Sequence, residues 1–286
     1  MTDALIAFLG ARAVPGVEEV AGGTYRRSLR LPRGAGTLEL RAAGGGRLEA
    51  GFVVDDERDR AAAELRMRAL LDLDADTQAV DAVLGRDPLL APLVRATPGR
   101  RVPGTVDGHE LAVRAVLGQQ VSLAGAATLA ARLVRAHGEP LARPLGTVTH
   151  LFPAAAALAG ADPAALAMPA SRRRALLGLA QALAAGDIRL DPGADLEEAS
   201  RRLLALPGIG PWTVAYVRMR ALHDADAFVA SDLGVRHALR RLGLDGSTAA
   251  AVRVAERWRP YRAYAVQHLW ASLAAEKPRA RVVPPS

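Results

Sequence analysis

The sequence predicts an α+β N-terminal domain, a small antiparallel sheet with helices, followed by an all-α domain built around a helical hairpin. Three observations predict it. Tyr25–Leu31, Gly36–Arg41 and Arg47–Val54 alternate apolar and polar residues, the period of half-buried strands. From Asp107 onward apolar residues instead recur at helical spacing, with Gly and Pro at the short breaks. Finally, the run Leu206-Pro207-Gly208-Ile209-Gly210-Pro211-Trp212-Thr213 has a helical pattern on both sides.

Taken in order, the chain opens on an amphipathic helix that includes Phe8. Turns follow at Pro32-Arg33-Gly34 and Gly44-Gly45-Gly46 between the strand candidates. Residues 57–73 read as a helix, with Ala61, Leu65, Arg68 and Leu71 along it, and Pro98–Pro103 reads as a connector. Helices are expected over 108–118, 121–137, 147–158, 163–168, 171–185, 195–206, 211–222, 232–242, 247–256 and 260–275. The domain reading is therefore 1–103, then 104–276 as two helical subdomains, then a frayed tail over 277–286.

The hairpin carries the most information. Asp195 and Glu198 have capping-box spacing before Leu196, Ala199, Leu203 and Leu206. After the turn, Gly210 can cap the next helix and Pro211 can take its first position, where a missing N–H has no intrahelical partner anyway. Trp212, Ala215, Tyr216 and Met219 share one face of that helix. So short a glycine turn cannot bury its backbone N–H groups, which face outward at a helix N-terminus and suit an anion such as a DNA phosphate. The plainer alternative is a hairpin whose glycines only permit a tight turn.

Composition narrows the function classes. The net charge of +7 favours an anionic partner, although nearly every cation is Arg and Lys277 is the only lysine. No apolar run is long enough for a membrane span and no signal-peptide pattern opens the chain, so a cytoplasmic protein is expected. With no cysteine there is no disulfide, methyl-accepting thiol or iron–sulfur cluster, and the six histidines lack metal-ligand spacing.

Five segments in order resemble a known family. Phe8–Val20, Val113–Ser122, Leu206–Tyr216, Phe228–Leu233 and Trp258–Trp270 are similar to the opening helix, start of the helical domain, hairpin, catalytic-Asp segment and closing helix of the AlkA-type DNA-3-methyladenine glycosylases II. These are helix-hairpin-helix glycosylases with a Gly/Pro-rich loop and a catalytic Asp. The resemblance implies that Asp232, 22 residues past Gly210, is the catalytic carboxylate. Its residue-level alternative is a helix N-cap, and both can hold together. Trp212, Tyr216, Trp270 and Phe8 fall on cleft positions that hold the base, although Phe8 reads equally as core. Gln120 falls on the wedge that fills the gap left by a flipped base, and Gln119, Thr213, Gly208 and Gly210 on DNA-contacting positions. The main-chain carbonyls of Leu204, Leu206 and Ile209 fall where relatives hold a structural Na+ or K+.

Lyase-competent relatives carry a lysine where this chain has Trp212, so the resemblance implies a monofunctional enzyme that needs no cofactor. The expected partner is double-stranded DNA with alkylated, cationic purines such as 3-methyladenine and 7-methylguanine, bound by a monomer. Alternatives are a non-catalytic damaged-DNA-binding protein and a glycosylase for deaminated purines such as hypoxanthine. Leu233 departs from the family, where an aromatic is common beside the Asp, which implies a narrower or shifted range. Members usually have a further strand and an aromatic-Asp stretch before the first helix. Either the start lies upstream of Met1, or the sheet is shorter, with an exposed edge and one cleft aromatic fewer.

Overall fold

The computed structural model describes residues 2–274; the expected tail over 277–286, with Lys277, lies outside the described residues. The chain groups by contact into two compact units, one holding residues up to Asp74 with Pro103–Asp224, the other holding Ala75–Val102 with the residues from Ala225 on. The sequence reading places the main boundary at 103 and splits 104–276 into two helical subdomains, whereas these contacts group residues 75–102 with the residues from Ala225 on.

In the first unit, α1 (Thr2–Gly10) leads into an antiparallel sheet of β1 (Glu18–Ala21), β2 (Thr24–Arg30), β3 (Ala35–Ala42) and β4 (Leu48–Val54), in that spatial order. Tyr25 pairs with Leu40 and Arg27 with Leu38, so all four lie on one face. That face packs on α2 (Arg60–Leu71) through Ala63, Leu70 and Leu71, and on Ile6 and Leu9 of α1. The opening helix stops at Gly10, short of the expected segment to Val20; Glu18–Ala21 pairs with β2 as a strand too short to show alternation in sequence.

The sheet's inner face also buries Arg27, and the charge is neutralised where it sits. Arg27 pairs with Glu110 at 2.7 Å and Glu18 at 3.3 Å, and Arg114 bridges the same two carboxylates at 2.7 and 2.8 Å. Tyr25 Oη donates to Glu18 at 2.6 Å. Burial pushes the Glu18 carboxyl up, but Arg114 and Arg27 outweigh it and hold it below the usual carboxylate range. Glu110 and Arg114 lie on α5 (Gly108–Leu117), so this network ties the sheet to the helices.

Those helices are α5, α6 (Leu123–His137), α7 (Ala155–Ala159), α8 (Ala170–Ala184), α9 (Leu196–Leu204) and α10 (Pro211–Arg220), after α3 and α4 of the other unit in chain order. Their core joins Val113, Val116 and Leu117 to Leu176, Leu179, Leu203 and Val217. The expected all-α part has two departures: the helix expected over 163–168 is only a single 3-10 turn at Pro163–Ala165, and a ribbon intervenes before it. A two-stranded ribbon, β5 (Glu139–Leu145) and β6 (Val148–Leu151), replaces the start of the helix expected over 147–158, which is reduced to α7. Val148 and Leu151 bury with Leu141, and the Thr149 and His150 N–H groups donate to Gly16 O, so the β-branched run before the alanines pairs as a strand while the alanine run itself keeps the helix. The capping box is half made: Asp195 accepts from the Glu197 and Glu198 N–H groups, but the Glu198 side chain turns to Arg201 and Arg202.

The second unit is helical. It comprises α3 (Thr77–Leu84) and α4 (Ala91–Ala96), for which the sequence suggested no element, with α11 (Leu233–Arg241), α12 (Thr248–Ala255) and α13 (Arg262–Ala274). Val80, Leu84, Val94, Val235, Leu239, Trp258, Val266 and Leu269 are buried. No helix among the described residues is long and apolar enough to cross a membrane.

Candidate functional site

The hairpin is built by two close approaches. Ile209 N–H donates to Leu206 O at 3.1 Å, closing the turn, and the Ile209 side chain is buried in the core. Gly208 has φ +86°, and a Cβ there would stand 2.8 Å from the Ala175 Cβ of α8, so only glycine combines this conformation with this packing. Gly210 caps α10 without a side chain and Pro211 takes the first helical position, as read from the sequence. Among the described residues, the Gly208 and Gly210 N–H groups donate to no protein acceptor.

Gln119 and Thr213, expected to touch DNA, are hydrogen-bonded to each other. Gln119 Nε2 donates to Gly208 O and to Thr213 Oγ1, both at 3.0 Å, and Arg172 Nη2 donates to Gln119 O at 2.6 Å. Thr213 is buried. Gln119 thus lashes the α5–α6 loop to the hairpin, and Gln120, the expected wedge, stands exposed beside it at φ 55° with Val121 and Leu123 also exposed.

Three aromatic residues of this unit, Phe8, Trp212 and Tyr216, join two arginines in a charged assembly. Trp212 and Tyr216 stack at 5.3 Å and 11°, one helical turn apart on α10. Tyr216 Oη accepts from Arg220 Nη1 at 2.8 Å. Arg220, almost fully buried, also donates through Nη2 to Gly104 O at 2.8 Å and through Nε to Pro103 O. Its guanidinium carbon lies 5.6 Å from the Tyr216 ring centre and 5.1 Å from that of Phe8. Arg12 lies closer still, 3.7 Å over the Phe8 ring, with Nη1 donating to Phe8 O at 3.1 Å. Burial would raise the Tyr216 phenol, but Arg220, Arg12 and Arg114 outweigh it and hold it below the ordinary tyrosine value. Phe8 is half-buried and joins both the sheet core and this assembly.

Asp232 and Trp270 are brought together in the second unit. Asp232 is the N-cap of α11, its Oδ1 accepting from Val235 N–H at 2.9 Å and from Trp270 Nε1–H at 2.8 Å. The N-cap alternative is therefore correct locally, and it fixes the carboxylate. Gly234 makes room: a Cβ there would lie 3.0 Å from both Asp232 Oδ1 and the Trp270 ring. Leu233 beside it is 77% exposed.

Sequence reasoning missed Arg12, Arg220, Arg172 and Gly234. Arg12 and Arg220 each stand four residues after an aromatic, Phe8 and Tyr216, and that spacing was the available signal. Among the described residues, no cluster of three or more His, Asp or Glu side chains could hold a metal ion.

Comparison with known proteins follows the same lines. Residues 1–107 match the AlkA N-terminal domain, and residues 113–261 match the HhH-GPD superfamily of base excision DNA repair proteins. The chain is 49% identical over 271 residues to a probable bifunctional transcriptional activator/DNA repair enzyme AlkA of Mycobacterium tuberculosis, covering 95% of this chain and 54% of the relative. It thus spans about half the length of that relative. It is 37% identical to DNA-3-methyladenine glycosylase 2 of Escherichia coli, covering 93% of this chain and 92% of the relative. A solved 3-methyladenine DNA glycosylase from Archaeoglobus fulgidus, 22% identical, superposes with a TM-score of 0.84 over 97% of this chain and 96% of that one, and so shares its fold. With the hairpin, the sheet and these matches in place, the chain belongs to the HhH-GPD superfamily of base excision DNA repair proteins, on its DNA-3-methyladenine glycosylase II branch.

Proposed function

We propose that this protein is a monofunctional DNA glycosylase that flips alkylated, cationic purines such as 3-methyladenine and 7-methylguanine out of duplex DNA and hydrolyses their bond to the sugar. The observation that carries the reading is Asp232, held through Oδ1 by Val235 N–H and Trp270 Nε1–H, in the segment that follows the hairpin.

Each part has a physical task. The outward N–H groups of Gly208 and Gly210, at the start of α10, suit a backbone phosphate, which makes binding salt-sensitive and weakly sequence-specific. Gln120 with Val121 and Leu123 suits the space a flipped base leaves, and the Gln119 lashing fixes that loop. Trp212, Tyr216 and Trp270 offer aromatic faces for the base. The C1′–N bond then breaks with its electron pair leaving on the base. A cationic base departs neutral and needs no proton donor, while the sugar passes through an oxocarbenium-like state that the Asp232 carboxylate stabilises. Water adds at C1′ and gives up its proton, leaving an abasic site. Trp212 supplies no amine for a Schiff base, so no strand cleavage follows.

For the hairpin cation, Leu204 lies in the last turn of α9, where carbonyls lack intrahelical donors, and Leu206 O takes one N–H from Ile209. Leu204, Leu206 and Ile209 then offer hard oxygen donors that fit Na+ or K+, a structural ion that would align the turn. We place the protein in the cytoplasm as a monomer acting on the chromosome.

The test incubates the protein and Asp232→Asn with methylated DNA and identifies released bases by chromatography, with borohydride added in parallel. Wild type should release methylated purines, leave uncut abasic DNA and form no trapped adduct, while Asp232→Asn binds but does not excise. Near-normal excision by Asp232→Asn would overturn the assignment. Salt-sensitive binding without any release would favour a non-catalytic damaged-DNA-binding protein.

A further inference from the structure

The position of Arg12 raises a question about the charge of the base. Its guanidinium, a planar cation, covers a face of the Phe8 ring at 3.7 Å, the place and geometry a planar cationic base would take on that ring. Among the described residues its contacts are the Phe8 ring and carbonyl and the Tyr216 side chain, with no carboxylate among the groups that shift its pKa. Its surroundings are positive instead: Arg220 shares the Phe8 ring at 5.1 Å, and Arg114 Nη2 donates to the carbonyl of Arg12 itself. Burial lowers the Arg12 pKa, with Arg220 and Arg114 adding to the effect and Tyr216 opposing it.

The two arginines differ in freedom. Arg220 is buried and committed to Pro103 O, Gly104 O and the Tyr216 hydroxyl. Arg12 is partly buried, follows the end of α1, and spends donors on Phe8 O and on the Tyr216 side chain, with none on a buried carbonyl pair like that of Arg220. A guanidinium has five N–H donors, so Arg12 keeps donors to offer.

Resting on the glycosylase reading and on Phe8 as one wall of the base site, we propose that Arg12 is a specificity-determining residue that selects on base charge. It opposes a cationic base by repulsion and by holding the Phe8 face. It favours a neutral lesion whose purine edge presents acceptors, such as hypoxanthine with its O6 and N7. Arg12 therefore broadens the substrate range towards neutral bases at the expense of rate on cationic ones.

The experiment compares wild type, Arg12→Met and Arg12→Lys by single-turnover release from two duplexes, one with 7-methylguanine and one with hypoxanthine, with thermal melts to check folding. Arg12→Met keeps the stem length and apolar cover but loses the charge. Its 7-methylguanine to hypoxanthine rate ratio should rise by roughly tenfold, the scale of one cation–π contact or partly screened charge pair. Arg12→Lys, which keeps the charge, should stay within a few-fold of the wild-type ratio. Equal loss on both bases by a folded Arg12→Met, or a fall in the ratio, overturns the selection role. Wild-type protein releasing neither base overturns the glycosylase reading itself, a result distinguishable because it precedes any variant.

Discussion

At the scale of single residues, the reaction's carboxylate depends on its neighbours. Trp270 donates to Asp232 Oδ1, and Gly234 gives the indole room to reach it. Trp270→Phe keeps an aromatic ring and removes the N–H. A hydrogen bond to a charged group contributes about 1.5–3 kcal/mol, so kcat should fall by about tenfold or more with KM little changed. Raised KM at constant kcat would make Trp270 a base-binding surface only. His268 is a different case, buried in α13 and unconnected to the chemistry. Burial, with the positive charge of Arg100 adding to it, lowers its pKa from 6.5 to about 4, against a smaller opposing pull from the Leu93 backbone. A folded value below the unfolded one means the contribution is whole above about 6.5 and is lost as pH falls towards about 4. The loss should reach roughly 3 kcal/mol at most. Denaturation midpoints of His268→Leu and wild type should then converge or cross across that window; parallel curves would dismiss the effect.

At the scale of elements, the hairpin works because two features coincide. Gly208 holds φ +86° and stands where a Cβ would meet Ala175 at 2.8 Å. Gly208→Ala therefore suffers both a left-handed alanine, which costs roughly 1–2 kcal/mol, and a collision with α8. DNA affinity measured against salt should fall by about tenfold or more while the salt slope drops by the lost phosphate contact. An unchanged affinity would remove the hairpin from the DNA interface. The turn was legible in sequence because Gly and Pro have so few other uses at that spacing. The Gln119 link to Gly208 and Thr213 was not, since 89 and 94 residues separate its partners. The β5–β6 ribbon was missed for a related reason: Val148 and Thr149 favour a strand, but they adjoin the alanine run of α7, and the Gly16 carbonyl that holds them lies far away in sequence.

At the scale of the whole molecule, the buried Arg27–Glu18–Arg114–Glu110 network holds the sheet to α5. Its charges balance, so removing one leaves another buried and unpaired. Glu110→Gln should destabilise the fold by about 3–5 kcal/mol, read as a lowered urea midpoint. A loss under about 1 kcal/mol, the value of a surface pair, would mean that water reaches these groups.

Much of the protein follows from sequence alone. Strand alternation, helical periodicity and the glycine hairpin are local patterns, and they specify an α+β part, a helical part and the family. The ordering of five motif segments also pointed to Asp232 and to the aromatic candidates. Tertiary structure decided the rest: that Arg12 and Arg220 sit on the Phe8 ring, that Trp270 holds Asp232, that Gln119 faces the hairpin, and that residues 75–102 group with the C-terminal helices. The physical reason is range. Backbone preference and periodicity act over a few residues and are written locally. Charge neutralisation, ring contacts and close approaches depend on partners that only folding brings within a few ångströms.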